Sequence, residues 1–546
     1  MNDVLYILWP VIILTAGAAL IFLAGVTQAP GVLRRLPYWA FLCILIAFMV
    51  GAYYPREASG SGLELASSDG SLRLSATSLM ITYISLTIGA LLVLISWNPD
   101  LRLTEQDSQT GSTSIAGEFF GLLLLCLAGL LLTAVANNLI VLFLALELVS
   151  IPTYILVTLS RPGMQAKEAG LKYFYLGALA EAILMYGFSF LYGMTGQLQL
   201  DRIGQMLTGN HNPFILLVLV LIVVGLCFKI AAVPMHFYAP DVYQGAAAPV
   251  TALLAFVPKF AGFYALILVV KLAFNPLLME SALTGEVVGW LFWILAALTM
   301  TVGNVLALMQ KNVKRLLAYS SIAHSGYMLL AVLVLSCSYK TEALGAIIFY
   351  LTVYAVATVG AFAVLALFGR NGDEAQQLSD LTGLARSHPA LAAALAVCIF
   401  SLIGMPLTAG FIGKFYVFST LLTSTVLPHK WLVVLLVVAL INAAIAAGYY
   451  LRIIAACYLD DGPSTVEVRT TPAQNGGIAL AVLFTILLGV APRLLTKPLE
   501  KIDWPAYDRT PITQQDLPAP TGNASPPLIT RQNSSAYPII TDLQQR

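Results

Sequence analysis

The chain has 546 residues, of which 59% are hydrophobic and 10% are charged, and its formal net charge is +1. This composition excludes a soluble globular domain of the same length, whose surface needs more charge, and the small net charge argues against a nucleic-acid-binding protein. Apolar runs of about 20 residues, each long enough to cross a hydrocarbon core of about 30 Å, recur along the chain and predict an all-α polytopic membrane protein.

We predict about fourteen membrane-spanning helices from these runs. In chain order they lie near residues 4–25, 38–54, 76–97, 118–136, 138–160, 170–194, 214–236, 247–271, 288–309, 316–336, 343–369, 389–421, 431–457 and 476–495. The stretch 389–421 is long enough to be bent or broken. The residues after about 496 are rich in Pro, Ser, Thr and Gln, and we expect them to be disordered or to lie along a neighbour.

The orientation follows from the basic residues in the predicted connections. The odd-numbered connections hold about twice as many Lys and Arg residues as the even-numbered ones. Connections rich in Lys and Arg stay in the cytoplasm. With an even number of spans, this bias predicts that both termini lie on the outer side of the membrane.

Four ionisable side chains interrupt stretches that are otherwise apolar: Glu147, Lys229, Lys259 and Lys414. A charge at the bilayer centre costs roughly 2.5–3.5 kcal/mol, so such residues are rare and usually functional. The alternatives are lysines that snorkel to the interface and a static structural carboxylate at Glu147. The three lysines lie well inside their predicted spans, which favours protonatable groups within the membrane.

Each of the three lysines has a proline in the same span; the pairs are Lys229 with Pro234, Lys259 with Pro258, and Lys414 with Pro406. Proline removes a backbone donor and clashes with the carbonyl four residues earlier, so a helix bends or breaks there. Backbone freed in this way persists in a membrane only where it lines protein or a water-filled cavity. The pattern predicts discontinuous helices with ammonium groups near their breaks.

A Glu–Lys pair can load and unload a proton. Burial favours the neutral form of a lysine, whereas a neighbouring carboxylate favours the charged form. A pair that separates and re-forms therefore changes the proton occupancy of the lysine. Glu147 with Lys229 is the predicted pair.

Two further residues, with weaker support from the sequence, are candidates for proton transfer. His324, in LLAYSSIAHSGYMLL, is a candidate relay between Lys259 and Lys414, although a lone membrane histidine is a packing residue at least as often. Glu181, in GALAEAILMYGF, is another intramembrane acid, and pairing with a lysine is one interpretation of it.

The sequence gives no support to a cofactor or metal site in this chain. The six cysteines are isolated in or beside apolar segments without a CxxC, which favours small buried side chains over zinc or iron–sulfur ligands. The nucleotide-binding and zinc motifs GxGxxG, GxxxxGK[ST] and HExxH are missing, and the five histidines have no axial-ligand spacing.

Several runs resemble a known family. FKIAAVPMHFYAPDVYQGAAAPVTALLAFVPKFAGFY is similar to the signature of the antiporter-like subunits of respiratory complex I, and its PDVYQG form is most similar to the subunit N branch. NLIVLFLALELVSIPTYILV, EAGLKYFYLGALAEAILMYGF and ALMQKNVKRLLAYSSIAHSGYML also match. The resemblance runs from about 75 to 495.

The resemblance implies two inverted five-helix repeats, each with a discontinuous helix. They would occupy residues 118–271 and 288–457, after N-terminal helices and polar loops at 1–117. A last transmembrane helix at 476–495 and a polar tail at 496–546 would follow.

The resemblance also assigns roles to residues. The carboxylate–lysine pair of the family falls on Glu147 and Lys229, its central relay on Lys259 and His324, and its exit residue on Lys414. A lysine at the exit position is typical of the subunit N branch, since the sister subunits usually have a carboxylate there.

Two positions depart from the family pattern. Family members often have an acid where this chain has Asn138, and a small residue where it has Glu181. The first change would weaken the local negative field, and the second would restore it.

The function implied is that of a proton-translocating membrane subunit of NADH-quinone oxidoreductase in a bacterial inner membrane. NADH, FMN, iron–sulfur clusters and quinone would be bound by partner subunits, both membrane and peripheral, and this chain would contact membrane lipid and protons. Two alternatives stay open: a subunit of a multisubunit cation/proton antiporter, and a structural scaffold of the membrane arm that does not pump.

Overall fold

The computed structural model describes residues 2–57, 65–97, 115–209, 212–336, 342–368, 374, 376–460 and 470–500. The helices, numbered in chain order, are α1 (Asn2–Val26), α2 (Pro30–Leu33), α3 (Leu36–Glu57), α4 (Ala76–Ile95), α5 (Ala116–Val135), α6 (Leu139–Leu159), α7 (Met164–Thr195), α8 (Leu200–Leu207), α9 (Phe214–Lys229), α10 (Ala239–Gly245), α11 (Ala248–Leu268), α12 (Asn275–Glu280), α13 (Ala282–Leu308), α14 (Val313–Ser336), α15 (Glu342–Leu365), α16 (Leu384–Ser387), α17 (Pro389–Ile403), α18 (Ala409–Leu422), α19 (His429–Tyr458), α20 (Pro472–Val490) and α21 (Arg493–Glu500).

Three kinds of shorter element complete the described residues. A π-helical turn at Val269–Phe274 joins α11 to α12, and a 3-10 turn lies at Leu378–Leu381. β1 (Leu65–Ala66) and β2 (Arg73–Leu74) pair as an antiparallel hairpin before α4.

The prediction of an all-α polytopic membrane protein is confirmed. Within the described residues, twelve continuous stretches are helical, long and apolar enough to cross a membrane, and α9, α17 and α18 are shorter apolar helices. The twelve stretches, together with the short helix α9 and the interrupted unit α17–α18, account for the fourteen predicted spans. The tail follows α21, and residues 501–546 lie outside the described part of the chain.

The centre of the bundle consists of α11, α14 and α15. Nearly every residue in these three helices is buried. Such helices are apolar on all sides, so they are stable only when other helices surround them. By contrast, α1, α3, α19 and α20 bury about a third of their residues and form the outside of the bundle. The buried ionisable residues on α11 and α14 therefore lie deep inside the protein.

The first interruption follows α9, as the proline pattern predicts. The helix ends at Lys229, Ala231 adopts a left-handed φ of +53°, and the peptide bond before Pro234 is cis. Side chains satisfy the carbonyl groups freed there: Tyr238 Oη donates to Phe228 O at 2.8 Å. The chain becomes helical again only at Ala239, the first residue of α10.

The second interruption divides the predicted span 389–421. Helix α17 ends before Gly404, whose φ is +82°, and Leu407 has a φ of +73°. Thr408 then caps α18, because its side-chain oxygen accepts a hydrogen bond from the backbone N–H of Phe411.

The prediction of a third break, at Pro258, is wrong. Pro258 lies inside α11, which is continuous from Ala248 to Leu268. Neighbouring helices surround α11, and in a membrane bundle such neighbours can compensate for the hydrogen bond that a proline removes. The inverted arrangement of the two repeats, and the boundaries at 118–271 and 288–457, stay predictions.

Candidate functional site

The ammonium group of Lys229 forms an ion pair at the end of α9. Its Nζ lies 2.5 Å from Glu181 Oε1 and 2.5 Å from Ser150 Oγ. The side chains of Lys229 and Glu181 are 4% and 13% exposed, so the pair is withdrawn from solvent. The direct partner of Lys229 is therefore Glu181, on α7, instead of the predicted Glu147, on α6.

Glu147 completes this group as a second carboxyl. It lies close to Glu181 and within electrostatic range of Lys229. Its Oε1 is buried and has no hydrogen-bond partner among the residues that the structure describes. Two ionised carboxylates close together in a buried site repel each other, and a proton on one of them removes that repulsion.

The hydrogen bonds indicate which of the two acids carries that proton. Glu181 Oε1 accepts from Lys229 and, at 2.9 Å, from the hydroxyl of Tyr154. A carboxylate that accepts from an ammonium and a phenol is the ionised member, because these donors stabilise the negative charge. The arrangement therefore contains an ion pair of Lys229 with Glu181, and Glu147 is the carboxyl group placed beside the pair to hold an exchangeable proton.

Asn138 has a structural role at the start of α6. Its side-chain oxygen accepts from the backbone N–H of Ile140 at 2.9 Å, which caps the start of α6. This cap stabilises the helix that presents Glu147.

A chain of polar contacts links the first interruption to Lys259. Ser325 Oγ donates to Ile230 O at 2.6 Å and also lies 3.2 Å from Ser321 O. The Nζ of Lys259 in turn donates to Ser321 O and Ser321 Oγ, each at 2.5 Å. The carbonyl group freed by the break is thus connected through α14 to the ammonium on α11.

Close packing of α9 and α11 brings the two lysines near each other. A Cβ added at Gly262 would lie 2.8 Å from Lys229 Cβ, so the absence of a side chain at Gly262 permits this approach. Gly262 lies nearly one helical turn after Lys259 on α11. Lys229 and Lys259 are therefore neighbours across the interface between α9 and α11.

His324 lies at the centre of an aromatic and hydroxyl cluster. The Nζ of Lys259 lies 4.8 Å from the centre of the Tyr354 ring, and the His324 ring centre is 5.0 Å from that of Tyr354. The Nδ1 of His324 is 2.7 Å from the hydroxyl of Tyr350, and the Nε2 of His324 is 3.1 Å from the hydroxyl of Tyr450. Both ring nitrogens therefore have hydroxyl partners, so the imidazole can accept a proton on one nitrogen and release one from the other.

Lys414 lies at the second interruption. Its Nζ donates to Ile403 O at 2.7 Å and to Leu402 O at 3.2 Å, at the C-terminal end of α17. The exposed carbonyl groups of a helix C-terminus favour a cation. The Nζ also lies 5.1 Å from the centre of the Tyr327 ring, which packs edge-on against His324.

The five predicted site residues thus lie in one continuous interior line. In spatial order they are Glu147, Lys229, Lys259, His324 and Lys414. Glu181, for which pairing with a lysine is one interpretation of the sequence, is the direct ion partner of Lys229. The groups that the sequence reasoning missed are the hydroxyls of Ser321, Ser325, Tyr350 and Tyr450. The repeated Ser and His residues in AYSSIAHSGY were a signal for the α14 members, since several of them fall on one helical face.

A second charged cluster, outside this line, lies on α10. Asp241 accepts hydrogen bonds from Arg315 at 2.5 Å and from Lys172 at 3.0 Å. Burial alone would raise the pKa of Asp241, but the hydrogen bonds from Lys172 and Arg315 lower that pKa below its ordinary value. The cluster therefore ties α10 to α7 and α14 with an ionised carboxylate.

The described residues contain no group of three or more His, Cys, Asp or Glu side chains placed to hold a metal ion. The absence of cofactors from this chain stays a prediction.

Comparison with known proteins gives three kinds of match. Residues 136–442 match the family described as NADH:quinone oxidoreductase/Mrp antiporter, TM. NADH-quinone oxidoreductase subunit N of Trichlorobacter lovleyi is 36% identical over 467 residues, which are 84% of this chain and 89% of that relative.

Two solved structures have the same fold. A chain in the respiratory complex I of Thermus thermophilus with bound aureothin is 32% identical, with a TM-score of 0.70 over 90% of this chain and 100% of that chain. A chain in the Mrp complex of a Dietzia species has a TM-score of 0.72 over 89% of this chain and 96% of that chain, at 19% identity, and shows likeness of fold alone.

Proposed function

This chain belongs to the NADH-quinone oxidoreductase subunit N family, and we propose that it is a proton-translocating membrane subunit of an NADH-quinone oxidoreductase complex. The observation that carries the proposal is the continuous line of buried ionisable groups from Glu147 to Lys414. Such groups are expensive inside a membrane and mark ion pathways.

The first step is loading at Lys229. While Lys229 is paired with Glu181, its ammonium is stabilised in a region of low dielectric constant. If the pair separates, burial favours the neutral form of the lysine, which then gives up a proton. Release of that proton leaves one negative charge on the carboxyl groups of Glu181 and Glu147, and uptake of another proton by the group of three restores its neutral state.

The second step is transfer through the centre of the bundle. Lys259 contacts Ser321, and His324 lies between the hydroxyls of Tyr350 and Tyr450. These hydroxyls both donate and accept hydrogen bonds, which proton transfer along a chain of groups requires. The aromatic rings around Lys259 and Lys414 stabilise a transient ammonium by cation–π contact.

The third step is release at Lys414. The carbonyl groups of Leu402 and Ile403 stabilise its ammonium at a break in the helix, where freed backbone can meet water. We assign Lys414 as the exit to the outer side of a bacterial inner membrane from the resemblance to the family. We assign both chain termini to the same side from the distribution of Lys and Arg in the connections.

The remaining chemistry belongs to partner subunits in this proposal. NADH oxidation at FMN, electron transfer through iron–sulfur clusters and quinone reduction would take place in other membrane and peripheral subunits. The identity of 36% with a subunit N, against 19% with the Mrp chain, favours this assembly over a cation/proton antiporter.

The proposal is tested with Lys259→Met, which keeps the length of the side chain and removes its charge. NADH-driven proton translocation into membrane vesicles is measured per amount of assembled complex, with Lys311→Met, an exposed lysine, as the matched control. We expect Lys259→Met to slow translocation strongly and Lys311→Met to leave it unchanged. Normal translocation in assembled Lys259→Met would contradict the proposal and favour a structural scaffold.

A further inference from the structure

Glu374, between α15 and α16, contacts the ends of three helices. Its carboxylate accepts hydrogen bonds from Arg161, just after α6, and from Lys314, near the start of α14. Both carboxylate oxygens also lie 2.9 Å from the backbone N–H of Ala248, the first residue of α11. The side chain of Lys314 is 0% exposed, and those of Arg161 and Glu374 are 17% and 18% exposed. One carboxylate therefore joins α6, α11 and α14 in a largely buried contact.

The same three helices carry residues of the proposed proton path. Glu147 lies on α6, Lys259 on α11 and His324 on α14. Each lies about 15–20 Å along its helix from the end that Glu374 contacts. Because a helix is a stiff rod over this length, a shift at its end is transmitted to the residue inside the membrane.

The contact most sensitive to such a shift is that of Lys259 with Ser321. It spans α11 and α14, and Nζ lies 2.5 Å from both oxygens of Ser321. A hydrogen bond is largely lost beyond about 3.5 Å, so a slide of about 1 Å between the two helices would break it. A second contact ties the same helix ends, since Lys314 Nζ donates to Ala246 O at 2.9 Å.

Removal of the negative charge at Glu374 would do more than delete one hydrogen bond. Arg161 and Lys314 would face each other as two cations in a poorly solvated region, and their repulsion would push the ends of α6 and α14 apart. The amide N–H of Ala248 would lose a charged acceptor.

We propose that Glu374 is a positioning residue for proton transfer, which holds α6, α11 and α14 in the register that keeps Lys259 in contact with Ser321. This inference rests on the proposed function of the line that contains Lys259. Glu374 itself moves no proton along that line, and it acts through the helix ends.

The charge state of Glu374 agrees with this role. Burial would raise the pKa of Glu374, but the cations of Lys314 and Arg161 lower it below its ordinary value. The carboxylate therefore stays ionised across the physiological range of pH.

The test compares Glu374→Gln and Glu374→Asp with the wild-type complex. Gln keeps the shape but removes the charge, whereas Asp keeps the charge at a shorter reach. Glu286→Gln, an exposed acid on α13, is the matched control, and Lys259→Met is the reference for a broken path. The readouts are the rate of NADH-driven proton translocation per assembled complex and the protons translocated per quinone reduced.

We expect Glu374→Gln to slow translocation at least about tenfold and to lower the protons moved per quinone, since a misplacement of about 1 Å can cost about 100-fold in rate. Glu374→Asp should lie between Glu374→Gln and the wild type, and Glu286→Gln should match the wild type. If the complex with Glu374→Gln does not assemble, the test rests on Glu374→Asp. Slowed proton translocation in Glu374→Asp supports the positioning role of Glu374, and a wild-type rate overturns it.

Wild-type translocation in Glu374→Gln, with Lys259→Met still slow, would overturn the positioning role alone. The positioning role is also overturned if Glu374→Gln translocates protons at the wild-type rate once the rate is divided by the amount of assembled complex. Glu374 would then be needed for assembly only. Wild-type translocation in both variants would overturn the proposed function as well.

Discussion

The Nζ of Lys229 lies 2.5 Å from Glu181 Oε1, at the residue where α9 ends. This ion pair connects α9 to α7, whereas Glu147, the second acid beside the lysine, lies on α6. The group at the end of α9 therefore contains two acids and one base, and the acid in direct contact with the lysine is Glu181.

Glu181→Gln should strongly destabilise the protein and slow proton translocation. The substitution leaves the buried ammonium of Lys229 without its counterion, and loss of one partner of a buried pair costs about 3–5 kcal/mol. The measurements are the thermal stability of the purified complex and NADH-driven translocation in vesicles. Thermal stability equal to that of the wild type would show that the pair is not formed in the membrane.

A double variant separates stability from transport. Glu181→Gln together with Lys229→Met removes both charges, and neutral replacement of a buried pair is often harmless to stability. We therefore expect the double variant to recover much of the lost thermal stability while proton translocation stays slow. Recovery of both properties would mean that the pair has a structural role only.

Glu147→Gln should assemble normally but slow translocation. The glutamine side chain can donate an N–H towards Glu181, so the ion pair of Lys229 with Glu181 is kept, but glutamine has no acidic proton to exchange. Thermal stability and translocation are measured beside Glu181→Gln. A larger loss of stability in Glu147→Gln than in Glu181→Gln would reverse our assignment of the ionised acid.

Tyr450→Phe tests the relay at His324. It removes a single hydroxyl, 3.1 Å from Nε2 of His324, and leaves the ring in place. We expect slower proton translocation with little change in assembly. Tyr458→Phe is the matched control, because Tyr458 is an exposed residue at the C-terminal end of the same helix, α19. Equal rates of proton translocation in the two variants would show that the hydroxyl of Tyr450 takes no part in proton transfer.

The Asp241 cluster gives a pH dependence of stability. The pKa of Asp241 in the folded protein is below its ordinary value of 3.8, because Lys172 and Arg315 stabilise the carboxylate. The ionised carboxylate of Asp241 therefore makes its full contribution to the stability of the folded protein above about pH 4. This contribution is lost as the pH falls through the pKa of Asp241 in the folded protein. Asp241→Asn should lower the thermal midpoint at neutral pH, and its difference from the wild type should shrink in acid. A difference that stays constant down to about pH 3 would contradict this assignment.

Local sequence chemistry predicted much of the fold and of the site. Long apolar runs require spanning helices, and the breaks near Pro234 and within 389–421 follow from the limits of proline and glycine in a helix. A buried charge is expensive wherever it lies, so the positions of Glu147, Lys229, Lys259 and Lys414 could be picked out without knowledge of their neighbours.

The parts that sequence could not predict depend on contacts between helices. Pro258 looks like Pro234 in sequence, but α11 is surrounded by other helices and stays continuous. The choice between Glu147 and Glu181 as the partner of Lys229 depends on the rotation of α6 and α7 towards α9, which spacing along the chain does not contain. Glu374 lies in a polar run, GRNGDEAQQ, and nothing in that run predicts its contacts with Arg161 and Lys314.

The central claim is that proton translocation depends on the ammonium at the end of α9, and Lys229→Ala tests it most directly. Protons translocated per quinone reduced are measured in membranes after assembly of the complex is confirmed. We predict an assembled complex with a depressed proton-to-quinone ratio and slowed coupled turnover. An assembled complex with full quinone reductase activity and a normal ratio would contradict the account and leave Lys229 as a structural charge.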